Sequence, residues 1–298
     1  MECEEEDEGE GIFECRLSTC HVLTTLLSCL LLDRKDQLAV FVASSRGLKV
    51  ITEKSRVLQG KVFLGRDSFE KFLLRIDRIA EDDGDDELHQ SEEECLEFAV
   101  NLSLLYECFG EEAKNAQVKM SYAGYGRPLV LELRNPSANY STSCQIQTTL
   151  VPDLCEFGFR SHEILNRCIL KARKFKEALS DLDSVKGATS LLIQVSPSAP
   201  HFVLSVSGDA INYEIELLKD SGSDVFTDFS SSCAQVASYG LNLIRSCTKA
   251  LSRAETVNLR INANRMLSLQ FFLHFPSAAG STHWVDFLIC SDCIDDQE

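Results

Sequence analysis

The chain repeats itself once. Leu102 opens the short apolar stretch Asn101–Gly110, and Leu241, 139 positions later, opens a similar one within Tyr239–Leu251. Val118–Tyr122 turns through Gly124–Pro128 into Leu129–Leu133. Its counterpart Val257–Ile261 turns at Asn262–Arg265 into Met266–Phe272, again at a spacing of 139. Two features in register at one offset predict two domains of the same fold. The 298 residues suit that division, since domains commonly run to ~150 residues.

Each half reads in one order. A helix is expected first, Cys20–Leu32 in one half and Ser161 to about Leu182 in the other. Alternating strands follow, Gln37–Ala43 with Leu48–Ile51, and Leu191–Val195 with His201–Val206. In Cys95–Val100 the period of two places Leu96, Phe98 and Val100 on one face. A second short helix, Asn101–Phe109, takes Asn101 or Ser103 as its cap and Gly110 at the position after its end. A hairpin and a last strand close each half, Ser143–Thr148 and Thr282–Cys290. The fold class is therefore α+β, with helices on one face of an antiparallel sheet, twice over. The expected divisions are an acidic tail (1–11), a first domain (12–148), a linker (149–156) that carries Pro152, and a second domain (157–293).

Charge narrows the function classes. Lys+Arg number 29 against Asp+Glu 46, a formal net charge of −17. Much of the excess lies in Glu2–Glu10 and Glu81–Glu94, runs that read as solvated tail and loop because like charges repel and bury no apolar surface. For the same reason the second run, even with His89 beside it, reads as a loop in preference to a metal site. The acidic start has none of the basic character of a signal peptide, and the apolar stretch Val22–Leu32 is too short to span a bilayer. Thirteen cysteines without a repeating framework predict reduced thiols in an intracellular setting, many of them packed as small hydrophobes. The CxxC pair Cys290–Cys293 has only His283 nearby, half a zinc site, and no metal or cofactor is expected. GxGxxG, GxxxxGK(S/T) and GxSxG patterns are absent, and Gly124-Tyr-Gly126 reads as a hairpin turn. No catalytic residue is expected.

Five stretches, taken in order, resemble one family: Tyr122–Leu129, Phe175–Asp183, Pro200–Ser205, Thr248–Leu251 and Leu267–Gln270. They are similar to the sliding-clamp superfamily, the fold of proliferating cell nuclear antigen. Within it they most resemble the Rad-one subunits of the heterotrimeric nine-one-one checkpoint clamp. The resemblance runs from about Phe13 to Cys293 and departs in the acidic tail, the acidic loop and the extra cysteines. It implies a crescent of two clamp domains that closes a ring around double-stranded DNA with Rad-nine-type and Hus-one-type subunits. Neighbouring subunits pair through edge strands. A checkpoint clamp loader opens the ring, which serves repair and checkpoint proteins in the nucleus. Two other readings are a 3′→5′ exonuclease, an activity attributed to some members, and a homotrimeric replicative clamp.

A clamp holds DNA through phosphates without reading bases. Arg167, Lys171 and Lys174 fall at i, i+4, i+7 beside an apolar stripe of Ile164, Cys168, Ala172, Phe175 and Leu179. Arg245, Lys249 and Arg253 are likewise spaced by four. By spacing alone either set is a solvated helix face; the resemblance implies that they line the hole. The first-half helices contain no Lys or Arg, so that half either touches DNA weakly or contacts it through loops. The apolar linker residues Leu150, Val151 and Leu154 are expected to border an outer groove that receives partner proteins.

Overall fold

A computed structural model describes residues 12–33, 35–75, 94–110, 116–136, 140–219, 224–275 and 283–292. The expected acidic tail and nearly all of the acidic loop, up to residue 93, lie outside the described residues.

The first unit opens on a strand, β1 (Phe13–Leu17), and then the helix α1 (His21–Cys29). There follow β2 (Leu38–Ser44), β3 (Gly47–Lys54), β4 (Leu58–Gly65), β5 (Lys71–Leu74), β6 (Cys95–Asn101), α2 (Leu102–Cys108), β7 (Gln117–Tyr122), β8 (Leu129–Arg134), β9 (Ser141–Ile146) and β10 (Thr148–Thr149). The second unit repeats the order. A strand, β11 (Ile164–Lys171), precedes α3 (Ala172–Asp183), then β12 (Ser190–Val195), β13 (Phe202–Ser207), β14 (Asn212–Glu216), β15 (Phe226–Ser231) and β16 (Gln235–Gly240). Two short helices, α4 (Leu241–Ser246) and α5 (Thr248–Leu251), lead to β17 (Thr256–Asn262), β18 (Leu267–Leu273) and β19 (His283–Ile289).

The duplication holds at the level of sheet order. In the first unit the strands run β5-β1-β7-β8-β9, and in the second β15-β11-β17-β18-β19. Likewise β6-β2-β3 recurs as β16-β12-β13. Among the described residues, every strand pair with a defined register is antiparallel. The α+β clamp-domain class expected from the sequence is the observed one.

One expectation is corrected. Each half begins with a strand, not a helix, and Ile164–Lys171 is β11, bonded on one side to β15 and on the other to β17. Its apolar residues satisfy helical spacing, but burial alternates: Asn166, Cys168 and Leu170 are buried while Arg167 is exposed. Partners on both sides give each ladder group of this segment an interstrand bond, which outweighs a local helical pattern.

Local signals at the second helix are met. The Asn101 side chain accepts from the Leu104 amide at 3.2 Å, so Asn101 and not Ser103 is the cap. Gly110, just past the end, takes a left-handed φ of 57° that a side chain would strain. In α1 the Thr24 and Ser28 hydroxyls donate back to the carbonyls of Cys20 and Thr25, which lets polar residues lie in a largely buried helix. Replacing Asn101 by Ala should lower the stability of the protein by about 0.5–2 kcal/mol, read as a reduced urea midpoint with unchanged slope.

The first core is aromatic: Phe98 stacks on Phe41 (5.4 Å between centroids) and leans on Tyr122 (4.4 Å), while Phe13 meets Phe72 edge-on. In the second unit Phe175, Phe202, Phe271, Phe287 and Tyr239 are fully buried. The chain passes between the units at Asp153 and Leu154, but Cys29–Leu32 and Thr52–Val62 group with the second unit. The reason is pairing. Leu58–Val62 of β4 bonds to β19, and Gly60 lies so close to Phe287 that a Cβ there would stand 2.8 Å from the ring. Thr52 also donates its hydroxyl to the Leu30 carbonyl.

Candidate nucleic-acid interface

The basic residues singled out by spacing fall on different surfaces. Strand β11 ends at Lys171, whose amide bonds the Val225 carbonyl; the next amide, of Ala172, bonds Glu255 and starts α3. From there the helical period is clean. Ala172, Phe175, Ala178, Leu179 and Leu182 are buried, and Arg173, Lys176, Glu177 and Ser180 face outward. Helix α3 packs against α5, and Arg245 on α4 forms an ion pair with Asp183 at the end of α3. The helices α3, α4 and α5 thus form one layer in the second unit.

Within that layer cations outnumber anions. Helix α3 carries Arg173, Lys174 and Lys176 against Glu177, Asp181 and Asp183, whereas Leu241–Arg253 carries Arg245, Lys249 and Arg253 and no acid. Four basic residues here, counting Lys171 just before α3, have carboxylate partners. Arg173 and Lys174 reach Glu177 at 2.9 and 3.6 Å, and Lys171 reaches Asp224 at 3.0 Å. Arg245 is held by Asp183. The Arg173 hydrogen bond keeps the Glu177 carboxyl below its usual range, and the Lys171 hydrogen bond does the same for Asp224. All of these pairs are exposed and weak enough to exchange for a phosphate.

Three corrections follow. Arg167 is not on a helix: it projects from β11 on the face opposite Cys168 and Leu170, directly across from Arg260. There Arg260 lies over the Phe159 ring at 5.3 Å and donates to the Ser268 hydroxyl at 2.7 Å. Arg167 therefore does not share the helical surface. Arg245 and Lys249 sit on successive short helices divided at Cys247, and Arg253 lies beyond the end of α5. Conversely, Arg173 and Lys176 are exposed on α3 and were not singled out by spacing. Starting the helical period at Ala172, from Phe175, Leu179 and Leu182, would have found both.

The linker residues are placed as follows. Leu150 is 71% exposed and Val151 38%, both at the end of the first unit; Leu154 opens the second and is half-buried. Just after it the chain is pinned. The Cys155 amide donates to Glu53 at 2.9 Å and its carbonyl accepts from Gln59 at 3.1 Å. Phe157, Phe159 and Leu288 then form a small apolar cluster with Cys155, Met266 and Cys290 against it.

His283, weighed as a zinc ligand, is buried edge-on to Phe275, and burial depresses its basicity; Cys293 lies outside the described residues. Among the described residues no three His, Cys, Asp or Glu side chains gather at metal-ligand spacing. Among the same residues no helix is long and apolar enough to cross a membrane.

Comparison with known proteins adds the following. The sequence profile of the family "Repair protein Rad1/Rec1/Rad17" matches residues 12–273. The mouse (Mus musculus) cell cycle checkpoint protein RAD1 is 31% identical over 260 residues, 85% of this chain and 84% of its own length. The DNA damage checkpoint control protein rad1 of Schizosaccharomyces pombe is 28% identical over 262 residues, 83% of this chain and 77% of its own. A shorter match, 30% identical over 101 residues, joins 34% of this chain to 21% of the DNA repair exonuclease REC1 of Mycosarcoma maydis.

Proposed function

The chain belongs to the Rad1/Rec1/Rad17 family of repair proteins, and from that premise we propose that it is a DNA-encircling subunit of a heterotrimeric checkpoint clamp. It acts in the DNA damage checkpoint and in repair, in the nucleus, and has no catalytic site of its own. The observation that carries this reading is the helical layer of the second unit. An acid-free run, Leu241–Arg253, sets basic side chains beside those of α3. Phosphate neutralisation needs that charge and needs no base-reading groups.

Rad-nine-type and Hus-one-type subunits complete the ring in this reading, and a checkpoint clamp loader opens it. Two edge strands suit the joints. β9 ends one sheet of the first unit, and β14 ends one of the second with Tyr213 exposed on it and Ile211 and Leu218 exposed beside it. The opposite edge, β16, is partly covered, since the Asp292 amide bonds the Ser238 carbonyl. An edge strand with no outer neighbour among the described residues, flanked by exposed apolar residues, suits pairing with another chain.

Co-expression with the two partner types, followed by sedimentation, tests the assembly. The chain alone should run as a monomer and with both partners as a single trimer. A trimer of this chain alone would overturn the heteromeric reading in favour of a homotrimeric clamp. The exonuclease reading is favoured by the name of the Mycosarcoma maydis relative. It requires carboxylates held rigidly around divalent ions. Purified protein should leave labelled DNA intact with Mg²⁺; degradation that co-purifies with the protein would establish the rival.

The exposed linker residues are proposed as the border of a partner-docking groove. Leu150→Glu with Val151→Glu should weaken capture of repair and checkpoint proteins while the trimer still forms. An unchanged set of captured partners would remove the groove from this position.

A further inference from the structure

Like charges face one another on the second unit's sheet. Arg167 of β11 and Arg260 of β17 are register partners, and both leave the sheet on the face opposite the buried Cys168 and Leu259. Side chains so placed start ~5 Å apart, and equal charges there destabilise a strand pair. A third arginine stands beside them. Arg160 is exposed and follows Phe159, whose ring carries the Arg260 guanidinium and whose carbonyl is tied to Asn262 of β17.

One carboxylate serves this group incompletely. Asp286 of β19 meets Arg260 only at 3.7 Å, with the Ser268 hydroxyl bridging the two, and lies across from Lys61 of β4 as well. The Arg260 Nε–H is buried without an acceptor, a state that native polar groups rarely keep. Among the described residues Arg160 and Arg167 form no ion pair, and Asp228, diagonal to Arg167 on β15, does not reach it. Burial, and then the charges of Arg160 and Arg167, press the Arg260 guanidinium below its ordinary range against the pull of Asp286.

We propose that Arg160, Arg167 and Arg260 form a docking site for a phosphorylated side chain of a partner protein. Three guanidiniums against one carboxylate leave a surplus of positive charge that a phosphate dianion matches and a single carboxylate does not. Guanidiniums also offer paired N–H groups to phosphate oxygens, which ammonium groups do not. Arg160 and Arg167 supply the exposed donors, and Arg260, fixed on Phe159, forms the floor. The flank is apolar: Leu165 on the same strand face and Met266 beside the Phe159 cluster are partly exposed. A peptide has side chains to cover them, whereas a nucleic-acid backbone does not. The site stands on one sheet face, and neither the ring nor the helical DNA surface enters it.

The test probes an array of peptides, each with a central phosphoserine between varied apolar flanks, with the full chain. The same peptides with serine and with glutamate stand beside them, and the tightest binders are measured by fluorescence polarisation. The phosphorylated forms should bind at least about tenfold more tightly than the serine forms, with glutamate between. Arg160→Ala with Arg167→Ala should remove that preference, and Arg167→Lys should keep only part of it. Lys49→Ala with Arg134→Ala, which takes the same charge from exposed positions of the first unit, should leave it intact. Relief of the facing charges should hold the melting temperature of the Arg160 and Arg167 variant at or above that of the parent. A lower one would assign these arginines to the fold and overturn the site. No preference for phosphoserine over serine, or an equal loss in the Lys49 and Arg134 variant, would overturn it too. So would duplex DNA binding that falls in step with Arg160→Ala and Arg167→Ala, which would assign this face to nucleic acid.

Discussion

If the proposed ring forms, replacing Lys171, Lys174, Arg245 and Lys249 together by Ala should weaken its DNA binding about 10- to 1,000-fold, depending on salt, and similarly on every DNA sequence. For every phosphate that the variant no longer neutralises, the slope of log affinity against log salt should fall by about 0.9. The geometry adds a converse. Lys171 and Arg245 are held by Asp224 and Asp183, and Lys174 by Glu177. A bound phosphate must displace those carboxylates, so Asp183→Asn with Glu177→Gln and Asp224→Asn should tighten binding and steepen the slope. Affinity measured across a salt series on both variants decides. An unaltered slope in the alanine variant means these side chains do not face DNA, and loss of the trimer means they hold a subunit joint. Arg167→Ala, on the opposite sheet face, should change the slope little.

Asn262→Ala should be among the most damaging single changes in the second unit, at about 3–5 kcal/mol. Asn262 is fully buried at the end of β17. Its side chain accepts from the amides of Asn264 (3.0 Å) and Met266 (2.9 Å) and donates to the Phe159 carbonyl (3.2 Å). Alanine strands two amides of a part-buried turn and the Phe159 carbonyl, which is bonded in a buried setting. Because Phe159 carries the chain out of the linker, hydrogen exchange at Cys155–Ser161 should accelerate along with the fall in the denaturation midpoint. Asn262→Asp keeps both acceptances and should cost less. Equal stability of all three proteins would show that this network does not hold the β17–β18 turn or the linker end.

The duplication was legible in chain order because its signals are local. α2 and α4 begin at Leu102 and Leu241, β7 and β17 at Gln117 and Thr256, each pair 139 apart as the apolar pattern requires. Asn101 and Gly110 marked the ends of α2 because capping depends on residues within one turn. The α+β class followed from the same short-range reading. The opening strands β1 and β11 were not legible. In Ile164–Lys171 the apolar positions fit both a helix and a strand, and hydrogen bonds to β15 and β17, remote in sequence, chose the strand. That choice moved Arg167 to the other face of the sheet and left Arg173 and Lys176 to join the basic surface. The carboxylates that hold Lys171 and Arg245 come from 53 and 62 residues away. Spacing along the chain therefore determined which helices carry the charge, whereas only the tertiary structure decided which cations are already paired. Ion pairs form through space between side chains whose sequence separation carries no signal.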